Sequence, residues 1–86
     1  MWTLNEARGQ VSTSGGQLRV RASPATSAEI RGAAADYAQV PVFCQARGEH
    51  VDGPVRSTDL WNQVAGGRYV SHAYVTVPAG WSAPAC

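Results

Sequence analysis

The most patterned run in the chain is DLWNQVAGGRYVSHAYV, residues 59–75. Side chains alternate along an extended segment, so Leu60, Asn62 and Val64 fall on one face and Trp61 on the other. Gly66-Gly67 then marks a tight turn. Residues 68–71 pair back, "HAY" makes a brief irregular turn, and residues 74–77 form a last strand. Upstream, Gly15-Gly16 lies between two short alternating runs and predicts a hairpin. In the second of those runs Leu18 and Val20 point inward, with Arg19 and Arg21 outward. Ser23-Pro24 carries turn chemistry, and a short strand is predicted around residues 29–32. Residues 33–38 follow Gly32 and develop no apolar face at helical spacing, so a turn leading into a strand is predicted.

QVPVFCQ, residues 39–45, reads as a strand with Val40, Val42 and Cys44 on one face and Pro41 and Phe43 on the other. Pro41 donates no ladder hydrogen bond, which marks an edge or a bulge. Residues 46–58 form a long polar loop broken by Gly48 and Gly53-Pro54; such a loop is functional or carries its own short hairpin. Residues 1–8 lack periodicity. The expected organisation is therefore a linker or leading strand over residues 1–9 and one domain over residues 10–86. Five or six short strands, glycine-rich turns and no helix define an all-β protein, a small barrel or sandwich.

Composition narrows the picture. At 86 residues there is room for one core, and a modest one. Net charge of +1 with many valines indicates a folded chain. All seven basic residues are arginine, which reflects either composition or a use for bidentate carboxylate and phosphate binding. They are spread from Arg8 to Arg68 with acids between them, so there is no nucleic-acid footprint. No stretch approaches the ~20 apolar residues of a membrane span. Cys44 and Cys86 have neither metal-ligand spacing nor a CxxC neighbour. A terminal cysteine suits a tether for a fraying tail, so one disulfide is expected, with a free cytosolic pair as the alternative. Closing a loop of about 43 residues stabilises by roughly 4 kcal/mol on the chain-entropy model. MWTLNEARGQ is not a signal peptide, so an exported protein would take its signal from a segment upstream of Met1.

Candidate chemistry is sparse. Ser27, Ser57 and Ser71 are weighed as nucleophiles, with His50 and His72 as the bases, but no Gly-x-Ser-x-Gly elbow is present. No catalytic residue is expected. His50 with Glu49 and Asp52 lacks a second histidine and reads as a solvated loop, so no metal or other cofactor is expected. Arg19 and Arg21 either solubilise a strand or receive a carboxylate. Asp59 and Trp61 are two apart and share a face; an acid beside an indole suits a peptide amine or amide, or forms a surface pair. Trp61, offset from Leu60 and Val64, is the expected ligand-facing aromatic, to be weighed beside Tyr37, Tyr69 and Tyr74. Trp81 is expected to cover one end of the fold.

LRVRASPATSAEIRG (18–32) and LWNQVAGGRYVSHAYV (60–75) resemble the two signature blocks of bacterial Src-homology-3 (SH3-like) domains. The order "CQ", long loop, "GRYVSHAYV" and terminal cysteine resembles C-terminal modules of actinobacterial secreted enzymes and wall proteins. Arg19, Ser23, Ala28 and Tyr69 depart from the residues usual in those blocks. The resemblance implies a five- to six-stranded SH3-like barrel with a long loop after the central strand, and Tyr69 and Tyr74 partly in the core. It also implies a non-catalytic module of a secreted or cell-surface protein, attached to or acting beside an enzyme. Its partner would be peptidoglycan or another cell-wall peptide. The groove would lie between residues 21–28 and 46–58, floored by Trp61 and rimmed by Tyr74, with Arg21 and Asp59 completing the binding set. The alternative is a protein-interaction or structural module that docks on a neighbouring domain or self-associates.

Overall fold

The computed structural model describes residues 7–78 and 80–86. The first six residues of the expected linker or leading strand lie outside this range. Eight strands follow one another: β1 (Ala7–Val11), β2 (Gln17–Arg21), β3 (Ile30–Ala35), β4 (Gln39–Val42), β5 (Cys44–Asp52), β6 (Ser57–Val64), β7 (Arg68–Ser71) and β8 (Val75–Thr76). A single 3-10 turn, His72–Tyr74, separates the last two. The strands form two antiparallel sheets, ordered β4-β1-β8 and β3-β2-β7-β6-β5. The protein is all-β, and neither sheet closes on itself.

Valines and one leucine hold the sheets together. Val11, Leu18, Val64, Val70 and Val75 are buried in one cluster, drawn from both sheets. Tyr74, Val20 and Val40 pack against it. β-branched residues suit this use, because their restricted side chains fit a pleated, half-buried surface. Gly9 brings β1 close to β8: a β-carbon there would collide with the Val75 side chain.

Gly15 does serve a turn, but not a hairpin. Ser14 and Gly15 have φ of 62° and 110°, and the chain crosses here from one sheet to the other. The partners of β1 are β4 and β8, while β2 pairs with β3 and β7. The Asp36 carboxylate braces this corner, accepting from Thr13 N at 2.9 Å and Gly15 N at 3.0 Å. At Gly66-Gly67 the expected hairpin is present. Both residues have positive φ, 80° and 68°, a backbone region that glycine enters without the Cβ penalty.

The polar stretch 46–58 is mostly strand. β5 runs to Asp52, a short turn follows, and β6 begins at Ser57. β5 is an edge strand with much of its length exposed, which explains why its composition resembles a loop. Its register slips between Arg47, opposite Leu60, and Val51, opposite Thr58, so residues 48–50 bulge outward. Residues 33–35 likewise continue β3, and the turn falls at Asp36-Tyr37. Pro41 lies in β4, an edge strand, where its missing N–H leaves no interior ladder broken.

Cys44 and Cys86 form the expected disulfide, with Cα atoms 4.8 Å apart. Backbone bonds hold the tail as well: Gln45 N donates to Pro84 O at 2.8 Å, and Cys86 N to Gln45 O at 2.9 Å. The tail thus adds a one-residue parallel bridge beside β5. Trp81, in the same tail, is half-buried.

Candidate functional site

A half-open cavity of about 170 Å³ lies between β2, β5 and β6. Leu18, Arg19 and Arg21 line it from β2, Val51 from β5 and Trp61 from β6. Thr26 enters from the loop after β2, and Ser71 and Tyr74 from the segment around the 3-10 turn. Drug-sized ligands occupy roughly 300–1,000 Å³, whereas an engineered cavity of about 150 Å³ accepts benzene. The space therefore fits one side chain or terminal group, not a whole cofactor.

Glu49, outside the lining, holds Thr26 in place. It sits on the β5 bulge, and both its carboxylate oxygens accept from the Thr26 hydroxyl, at 2.8 and 2.7 Å. Thr26 N donates to the same carboxylate at 2.9 Å, and Glu49 N donates to Pro24 O at 3.0 Å. These bonds latch the loop of residues 22–29 onto β5. The Thr26 hydroxyl and then its N–H hold the Glu49 carboxyl below its ordinary value, with Arg21 adding a smaller pull in the same direction. Gly48 permits the approach, since a β-carbon there would run into the Pro24 carbonyl.

The Trp61 indole is buried, not displayed: only 2% of the residue is exposed. Its Nε1–H donates to Glu49 O at 2.9 Å, beneath the β5 bulge. The expectation of a ligand-facing Trp61 assumed that one face of β6 meets solvent. In the structure β6 is an interior strand of the larger sheet, and Trp61 and Asn62 are both buried although they point to opposite faces. Trp61 contributes the cavity floor through the little surface it keeps.

Arg21, Trp61 and Tyr74 thus meet at one cavity, and Asp59 does not join them. The Asp59 carboxylate instead accepts from the exposed Arg47 Nη1 at 2.8 Å. Arg21 Nη1 donates to Ala28 O at 3.1 Å, helping to shape the loop. Arg19 is exposed and makes no ion pair among the described residues. Tyr69 is half-buried with its hydroxyl accepting from Gln63 Nε2 at 3.3 Å, away from the cavity lining. Tyr37 is 72% exposed at the turn between β3 and β4.

The histidines lie elsewhere. His50 pairs with Asp52 at 3.0 Å on the exposed strand β5. Asp52 is held below its ordinary value, first by a Ser57 hydrogen bond and then by His50. Glu49, engaged by Thr26, is not drawn into a three-residue cluster with them. His72, weighed in the sequence as a base, is buried in the turn after β7, at 8% exposure. Its Nδ1 accepts from the Asn62 amide at 3.0 Å, and Asn62 Oδ1 accepts from Gln45 Nε2 at 2.9 Å. Desolvation, with help from the nearby Arg56 charge, pushes the His72 imidazole down to about 4.

Sequence reasoning missed two structural partners of the cavity, Thr26 and Glu49. They are 23 residues apart and come together only through the bulge. The sole local signal was glycine at position 48, beside an acid in a polar run. No family model, curated protein or solved structure matches this chain.

Proposed function

We propose that the chain is a non-catalytic binding module of a secreted bacterial protein, and that its two sheets form an SH3-like barrel. The cavity takes a peptide-like group of the cell wall. The observation that carries this reading is the meeting of Arg21, Thr26, Val51, Trp61 and Tyr74 around one cavity between the loop after β2 and the bulged strand β5. Apolar floor, polar rim and a charged side chain are the usual composition of a small recognition site. The order of strand, glycine hairpin, strand, 3-10 turn and short strand over residues 57–76 supports the barrel assignment. The disulfide is compatible with export, because such bonds persist in oxidising compartments. A site this small binds weakly alone and gains affinity through tethering to a second site.

The test is co-sedimentation with purified peptidoglycan. Trp61→Ala is a poor variant for it, since emptying so buried an indole costs about 3–5 kcal/mol and unfolds a small domain. Tyr74→Leu keeps apolar bulk against the core and removes the aromatic rim. The wild-type chain is expected to sediment with the wall, and the folded Tyr74→Leu chain to remain largely in solution. Equal sedimentation of the two proteins, or none by either, refutes the reading.

A further inference from the structure

The cavity is electrically one-sided. Two arginines line it and no carboxylate does so among the described residues. Glu49, bonded to the lining residue Thr26, has both oxygens engaged by it. Neither arginine is in an ion pair among the described residues, but Arg21 donates to Ala28 O, which leaves Arg19 as the lining guanidinium with no side-chain hydrogen bond among them. Below the charges the lining is apolar, with Leu18, Val51 and Trp61. The volume of about 170 Å³ admits a single small group.

We infer that the cavity recognises the free C-terminal end of a peptide, its small apolar side chain resting on Trp61 and Val51 and its α-carboxylate meeting Arg19. The inference rests on the proposed reading for the location of the site and adds to it the end of the peptide that is read. An internal peptide segment offers the same apolar groups but no charge, so it leaves the guanidinium of Arg19 without a matching anion. A guanidinium–carboxylate pair has charge-assisted, often bidentate geometry, and is about twice as strong as a neutral hydrogen bond. Arg21, fixed by its bond to Ala28 O, acts as a positioning residue that holds the loop carrying Thr26. No bond is made or broken in this recognition.

The experiment is a two-dimensional NMR titration of the oxidised chain with two probes, N-acetyl-Ala-Ala and its C-terminal amide. The Trp61 indole N–H, donated to Glu49 O at the cavity floor, is the reporter. The acid is expected to shift this resonance and to bind at least tenfold more tightly than the amide. Arg19→Gln, at an exposed position, is expected to stay folded and bring the acid down to the amide. Amide binding equal to acid binding, a preference that survives Arg19→Gln, or no response to either probe overturns the inference. Wall sedimentation separates the two ideas. If it persists while acid and amide bind alike, the carboxylate inference fails and the binding-module reading stands. If it is absent while the acid binds through Arg19, the wall reading fails and the carboxylate preference stands.

Discussion

Acidification below about pH 6.5 should destabilise this protein, because His72 is folded in neutral. The imidazole is buried, and its Nδ1 is the acceptor for the Asn62 amide, whose oxygen is already held by Gln45. Protonation would turn that acceptor into a donor facing a donor, and would place a cation near Arg56. In the unfolded chain the imidazole titrates near its ordinary 6.5, whereas in the fold it is pushed down to about 4. The unfolded state therefore binds a proton that the folded state refuses. Stability is complete above about 6.5, falls as pH drops toward about 4, and levels off below it. Taken at full value, the shift is worth about 3 kcal/mol, and about 2 kcal/mol of that is lost between pH 7 and pH 5. Solvent screening of the partly accessible Arg56 interaction and of the ring edge reduces the loss over that interval to about 1 kcal/mol. Urea unfolding at half-unit steps from pH 7.5 to 5, on the oxidised protein, measures it. His72→Gln retains an acceptor for Asn62 but cannot titrate, and His50 is present in both proteins, so their difference isolates His72. The wild-type free energy should fall across this window, while the variant, whatever its stability at pH 7.5, should fall by less. Parallel pH profiles for the two proteins would refute the reasoning.

Two further outcomes follow from the latch and the tail. Reducing the Cys44–Cys86 bond should lower stability by at most about 4 kcal/mol on the chain-entropy model, and by less in practice, because the Gln45 bonds to Pro84 and Cys86 keep part of the tail in place; denaturation with and without reductant gives the value, and an unchanged midpoint refutes it. Gly48→Ala should cost about 1–3 kcal/mol as an overpacked contact, since its β-carbon meets the Pro24 carbonyl, a backbone atom with little room to move; thermal unfolding checks this, and a wild-type midpoint would contradict the close approach of the loop to β5.

How much of this was legible before the structure depended on whether a feature was local. The Gly66-Gly67 hairpin and the reading of Pro41 as an edge or a bulge follow from a few neighbouring residues, and the tethered tail from a terminal cysteine with one possible partner; the hairpin, an edge at Pro41 and the disulfide are found. Strand periodicity failed where a strand has no wet face. On β6, Trp61 and Asn62 are adjacent and point to opposite faces, yet both are buried. One face lies beneath the β5 bulge, and on the other Asn62 joins Gln45 and His72. An alternating pattern tells which residues share a face, not which face meets water. The opposite error occurred on β5, whose polar residues suggested a loop although their backbone is paired to β6. Edge strands tolerate such composition, and polar or charged side chains there also discourage pairing with another chain. The cavity depends on both misread strands: β6 supplies a floor too buried to be a display residue, and β5 bulges enough to carry Glu49 to Thr26. The rim of this cavity therefore rests on a loop held by a residue 23 positions away in sequence, and the buried indole of Trp61 helps to hold that rim in place through its bond to Glu49 O.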